Sequence, residues 1–482
     1  MSSLDADKMS LIRHLGDVLH RSFDKKRLRV AYQQARFGDR VFNYQELVLE
    51  VCAKCFRSYM GEIYYFDGCV WRVLSDVVLE HSLNAALVRG GVPKVDVVNA
   101  RSKLLQSARG GASLSVLRLS SSVVGFRNGV WDFSDIFSPV YHPFSDMMPI
   151  IDVLPYDYDP SAVCPMWLSF LSSILPSGDI LRLQKYLGLG CADRKSMSHK
   201  VEETLWLVGS GANGKSTIFD VVCGVYGSSS VSHVGLDMLL SGSSEVRARF
   251  VGGIVGKLFN YCSEVQSEDM SRYSDTFKSL CSGEPQVVRR LGQNPEMAYD
   301  IPFLVFNMNR KPVNRSMDAA LLRRLLFIPF KTTVSSADMN RELSSELMGE
   351  LSGIRNWMIE GYRMLVRDGY DFGVTSASDD ELVDYMFENG QSVQVFLSKN
   401  GFCCNRRSGH WDDGVQWVLA SSLYEAYVSF CEKWLQEPLT QRAFGSEMSR
   451  LGWHDGVGNR RRTGTGYVYG IFCEDSIPYA LS

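Results

Sequence analysis

Between positions 205 and 217 the chain reads LWLVGSGANGKST, an apolar run followed by glycines, a lysine and two hydroxyl residues. That order suits phosphate chemistry. Gly209, Gly211 and Gly214 let backbone N–H groups curl around phosphate oxygens, with Asn213 inside the same loop. The following text, IFDVVCGVYG, reads as a helix whose positive N-terminal end meets the same group. Lys215 has the reach for β- and γ-phosphates, and Ser216, next to Thr217, carries a hydroxyl suited to Mg²⁺. The expected ligands are ATP and Mg²⁺.

Hydrolysis also needs an acid at the end of a second strand, to hold Mg²⁺ and activate the attacking water. The run GKLFNYCSE ends in Glu264, with Ser263 where a second acid often stands. A third apolar run precedes NMNRKP, where Asn309 is placed to position the lytic water. Farther on, DAALLRRLLFIPF puts Arg323 and Arg324 before a fourth β-like run. An arginine there could cross a subunit boundary and stabilise charge on a neighbour's ATP.

These residues need a scaffold of parallel strands. The apolar runs Leu205–Val208, Gly256–Cys262, Phe303–Asn307 and Leu325–Phe330, separated by helices and glycine turns, predict an α/β core. An amphipathic helix is expected over Met339–Asp368. Residues 1–110 read as mainly helical with short aromatic strands such as EIYYFDGCVWRVL. Residues 111–195 read as a mixed α/β, collar-like region, 196–372 as the motor, and 373–395 as a linker.

Residues 396–482 read as a small α+β unit whose order suits a winged helix. Thr440 caps a helix carrying Arg442 and Arg450, and Asn459–Gly466 is expected to form a basic wing tip. Arg460, Arg461 and Arg462, beside Tyr467 and Tyr469, are the densest positive patch in the chain and are candidates for DNA phosphate contact.

The totals set limits. The formal charge is 51 − 54 = −3, which favours no nucleic-acid coat, so any DNA contact must come from local basic surface. Twelve cysteines and no evident signal peptide predict free thiols and a cytoplasmic setting, with no membrane association. Cys52 and Cys55, the C-x-x-C pair, lie in helical text and read as two thiols on a helix.

The motif series resembles superfamily 3 helicases, the helicase part of phage, plasmid and poxvirus-type primase-helicases. The resemblance runs through GSGANGKST, Ser263-Glu264, KSLCSGEPQVVRR (278–290), Asn309-Arg310-Lys311-Pro312, and Arg323-Arg324 before Pro329-Phe330. It implies an AAA+-like P-loop motor with a mainly helical N-terminal part and a C-terminal winged helix. It further implies a homo-oligomeric ring, a hexamer, moving on single-stranded and forked DNA. Lys215 and Ser216 would bind phosphate and Mg²⁺, Glu264 would be the catalytic acid, and Asn309 the γ-phosphate sensor. Arg324, with Arg323 second, would be the finger from a neighbour.

The resemblance also implies a DNA-contacting hairpin. The candidate is PQVVRRLGQNPEMAYDI (285–301), with Arg289 and Arg290 on one arm. Residues 1–190 lack the paired acids and histidine of a primase-polymerase, so a separate primase or polymerase is the expected partner, in the host cytoplasm of a phage or plasmid. Two other readings stand beside the helicase: an ATP-dependent origin-binding initiator, and a non-catalytic ATP-binding loader or scaffold.

Overall fold

The computed structural model describes the chain except residues 1–2, 25, 29–43, 60, 93–100, 114–121, 210–212, 263–272, 290–293, 309–318, 333–339, 341, 375–384, 386–390, 404–415, 435, 455–459 and 474–482. Contacts divide it into two units. One comprises Met1–Cys164, Gly188–Met197 and Leu351–Arg363; the other comprises Pro165–Leu187, Ser198–Glu350 and Met364–Ser482. Among the described residues no helix is long and apolar enough to cross a membrane.

The first unit begins with helices α1 (Ser3–Ser22) and α2 (Tyr44–Cys55) and a sheet of β1 (Phe56–Tyr59), β2 (Glu62–Phe66) and β3 (Trp71–Leu74). Asp67 makes the β2–β3 turn, its carboxylate accepting the N–H groups of Cys69 and Val70 at 2.8 Å. Helices α3 (Asp76–Arg89) and α4 (Arg101–Ser113) complete the core, with Leu19, Val48, Leu79 and Leu83 buried inside. α2 and α4 approach closely because Gly111 has no side chain; a Cβ there would lie 2.3 Å from the Leu49 carbonyl. Cys52 and Cys55 sit on α2 as free thiols, and burial pushes both pKa values up, so they stay protonated. A second sheet has the order β6-β5-β4-β7, from β4 (Val123–Phe126), β5 (Gly129–Asp132), β6 (Val140–His142) and β7 (Val153–Leu154).

The second unit opens with α5 (Pro165–Ile174) and α6 (Ser177–Gly188). Proline suits the first helical position, where no N–H is needed. The Glu350 carboxylate caps this helix, accepting the N–H groups of Met166 and Trp167 at 3.1 and 3.0 Å. That contact explains a departure from the sequence expectation. The single helix expected over 339–368 is broken at Met348–Glu350, between a short helix, Leu343–Leu347, and a long one, Leu351–Arg367.

A five-stranded sheet follows. Its strands are β8 (Thr204–Val208), β9 (Val231–Ser232), β10 (Phe259–Cys262), β13 (Phe303–Met308) and β14 (Leu325–Pro329). Their order is β14-β8-β13-β10-β9, and every neighbouring pair is parallel. Continuous apolar runs are what such a sheet requires, because both faces are covered. On one face Trp206 is fully buried, with its ring centroid 4.6 Å from Phe306 and 6.2 Å from Phe327. On the other, Phe259 and Tyr261 meet Tyr226 and Phe219 of α7 (Lys215–Tyr226). β10 starts three residues later than expected, because Gly256 takes a φ of +77° in the turn after α8 (Ser244–Ile254).

Between β10 and β13 the chain forms α9 (Ser274–Cys281) and a hairpin of β11 (Gln286–Val288) and β12 (Glu296–Ala298). Val288 and Ala298 face inward, whereas the cross-strand pair Val287–Met297 and Tyr299 are exposed.

The C-terminal part contains α10 (Ser392–Lys399), β15 (Phe402–Cys403), β16 (Gln416–Leu419), α11 (Ala420–Lys433), α12 (Gln441–Arg450), β17 (Arg460–Thr463) and β18 (Gly466–Cys473). Phe396, Tyr427, Phe444, Met448 and Trp453 form its core. The Thr440 hydroxyl caps α12, accepting the Ala443 N–H at 3.3 Å. β17 and β16 flank β18. The three arginines expected at a wing tip stand instead on β17, and the turn is Gly464-Thr465.

Candidate nucleotide-binding site

Four strands of one parallel sheet end on the same edge, where ligands of such sheets bind. β8 ends at Val208 and the glycine loop begins immediately. Gly209 must be glycine here: a Cβ would lie 2.3 Å from Asn213 Nδ2 and 2.8 Å from the Phe330 carbonyl. Gly214 must be glycine for a different reason. It leads into α7 with φ +86°, and a Cβ would meet Phe170 and Ile174 of α5 at 2.9–3.0 Å.

Lys215, the first residue of α7, is buried. Its ammonium donates to the Gly209 carbonyl at 2.7 Å and to Asn213 Oδ1 at 2.9 Å, and lies 5.9 Å from the Phe330 ring centre. Burial lowers its pKa below the ordinary lysine value. Asn213 is also buried, and its Nδ2 donor has no partner among the described residues. An unspent donor in a glycine loop at a helix N-terminus is suited to an anion. Ser216 is exposed on the first turn of α7, and Thr217 follows it half-buried.

The other expected members are distributed as follows. Gly211, Glu264, Asn309 and Arg290 lie outside the described residues. The strands leading to Glu264 and Asn309, β10 and β13, are adjacent, with Cys262 paired to Phe306. β13 also pairs with β8, Met308 opposite Val208. The strand preceding Asn309 therefore lies between the one bearing the glycine loop and the one preceding Glu264. Buried Tyr261 donates to Asn307 Oδ1 at 3.2 Å, which ties β10 to β13 just below this edge.

Arg323 and Arg324 precede β14 and therefore stand at the opposite edge, since Leu325 pairs with Thr204 at the start of β8. Five residues of strand, roughly 16 Å, separate the two edges. The arginines differ sharply. Arg324 is buried, with 7% of its side chain exposed, and binds Glu202 at 2.9 Å and Ser282 Oγ at 3.1 Å, as well as the Ala320 carbonyl. Arg323 is 64% exposed and touches Glu202 at 3.0 Å. Sequence reasoning missed Glu202; an acid just before a strand carries no local signal of partners more than a hundred residues away.

Among the DNA candidates, Arg289 pairs with Glu245 at 2.6 Å, and Arg450 with Glu447 on its own helix. Arg442, Arg461 and Arg462 are exposed, and Arg460 is half-buried. The Arg460 guanidinium lies 4.7 Å from the Tyr467 ring centre, and that of Arg461 lies 3.9 Å from the Trp417 centre.

Gly214→Ala is expected to destabilise the second unit by roughly 1–3 kcal/mol, from the forced left-handed conformation and the contact with Phe170. Thermal melts of wild type and variant measure this, and equal midpoints would contradict it.

Among curated proteins none matches this chain. Among the solved structures similar to this chain are two apo forms of one protein region. The apo structure of the NrS-1 C-terminal region (305–718) has 10% identity and a TM-score of 0.34, over 73% of this chain and 95% of that one. The A form of that apo structure has 11% identity and a TM-score of 0.37, over 73% and 96%. Residues 207–324, from the end of β8 to Arg324, match a family described as a family of unknown function (DUF5906).

Proposed function

We propose that the chain is an ATP-dependent DNA helicase, an AAA+-like motor of the superfamily 3 kind acting as a homo-oligomeric ring, a hexamer. It would serve replication of a phage, plasmid or mobile element, alongside a separate primase or polymerase in the host cytoplasm. One observation carries most of this reading. The glycine loop and the approaches to Glu264 and Asn309 leave one edge of a parallel sheet, while an exposed arginine leaves the opposite edge. An arginine roughly 16 Å from its own chain's phosphate loop is too far to serve the nucleotide there, which favours a role at a neighbour's.

The chemistry follows from that arrangement. The backbone of the glycine loop and Asn213 Nδ2 would hold phosphate oxygens, and Lys215 would leave Gly209 and Asn213 for the β- and γ-phosphates. Ser216, exposed on α7, would help hold Mg²⁺ together with Glu264, and the metal would supply charge neutralisation for the phosphates. Glu264 would accept a proton from the attacking water, and Asn309 would orient it. Arg323, rather than the buried Arg324, is the residue we assign to the neighbour's γ-phosphate.

The C-terminal part supports a winged-helix reading, with α12 and the β17–β18 hairpin facing DNA. Stacking on Tyr467 and Trp417 holds Arg460 and Arg461 in place for phosphate contact at low entropy cost. Strand displacement on a forked duplex tests the proposal. ATP-dependent release of the labelled strand is expected; ATP turnover without release would favour an initiator that remodels DNA.

A further inference from the structure

We propose that Glu202 is a positioning residue that holds Arg323 back until a neighbour's nucleotide claims it, and that it links this event to the β11–β12 hairpin through Ser282. The inference rests on the ring-motor reading and adds to it the element that would couple ATP to DNA.

Glu202 lies two residues before β8, with 21% of its side chain exposed, and both its oxygens are engaged. Oε2 takes Arg323 at 3.0 Å. Oε1 takes Arg324 at 2.9 Å and the Ser282 hydroxyl at 2.7 Å, with Lys200 at 3.7 Å. Lys200 also approaches Glu284 at 3.6 Å. Burial alone would raise the Glu202 pKa, but the Ser282 hydrogen bond and the arginine charges hold it below the usual carboxylate range, so it is ionised.

Two features make this cluster a relay. First, its two arginines are unequal. Arg324 is enclosed, and its backbone carbonyl accepts from both the N–H and the hydroxyl of Thr204, so it stays with β8. Arg323 is exposed and, among the described residues, holds one oxygen of Glu202, so it can leave at little cost. Second, Ser282 caps the C-terminal end of α9 and precedes β11 by four residues. Gly283, at φ +62°, makes the turn between them. When Arg323 departs, Glu202 keeps Arg324, Lys200 and Ser282. The redistribution of charge on Glu202 then acts directly on the base of the hairpin that would touch DNA.

The test uses the full-length protein and measures ATP hydrolysis with and without single-stranded DNA. Glu202→Gln frees Arg323, so the DNA-free rate should rise by up to about fivefold, the range of one exposed ion pair, while the ratio of stimulated to free rate falls. Ser282→Ala should leave the DNA-free rate unchanged and lower the ratio, and it guards against misfolding of the first variant. A purely structural role would lower both rates together and leave the ratio intact, which would overturn the inference. Wild-type ratios in both variants would do the same. If the wild type itself shows no stimulation by DNA, the motor reading fails first, and the relay falls with it.

Discussion

Lys215→Ala should reduce ATP hydrolysis by at least about 10²-fold while leaving the fold in place. The estimate follows from removing one pre-positioned charge from developing phosphate charge. The native side chain donates to the Gly209 carbonyl and to buried Asn213, both in its own loop, so its removal leaves two acceptors without that donor, a cost of about 1–3 kcal/mol for each one that water does not reach. Desolvation already lowers the pKa of this ammonium, so its burial costs stability that bound phosphate would return. With that relief set against two lost hydrogen bonds, the variant should melt close to the wild-type temperature without nucleotide, and gain less from an ATP analogue. Undiminished hydrolysis would exclude this loop as the catalytic site.

Arg323→Ala should have a comparably large effect by a different route, with ATP binding retained and turnover lowered by about 10³–10⁵-fold. The sheet separates this residue from its own chain's phosphate loop, so its loss should be repaired in trans. Arg323→Ala and Lys215→Ala should each be inactive alone. Mixed in equal amounts and allowed to exchange, they should regain activity at about a quarter of the interfaces, where an intact lysine meets an intact arginine. Recovery by mixing is specific to a shared site. An Arg323→Ala protein with normal turnover, or a mixture as inactive as its parts, would remove the intersubunit role.

The glycine loop was legible because its pattern is local. A buried apolar strand, glycines at the two positions where a Cβ would collide, and a helix beginning at Lys215 follow one another along the chain. The four apolar runs became strands for the same reason: their side chains are buried on both faces. Long-range pairing was not legible. Nothing in VEET announces that Glu202 would gather Arg323, Arg324 and Ser282, or that Phe170 and Ile174 would support Gly214. That gathering is why we propose Arg323 ahead of Arg324 as the finger. The helix expected over 339–368 was interrupted by a tertiary demand, the capping of α5 by Glu350. The basic turn near 460 proved to be a strand, because Arg460 to Thr463 pair with Gly466 to Tyr469. Glycines at 464 and 466 confine the turn to two residues.

We propose, above all, that ATP chemistry at the Lys215 loop is coupled to DNA. The most direct measurement is steady-state ATP hydrolysis by the purified protein, alone and with single-stranded or forked DNA, with Glu264→Gln in parallel. The expected result is hydrolysis that DNA stimulates and that the Glu264 variant loses. Robust hydrolysis indifferent to both DNA substrates would contradict it.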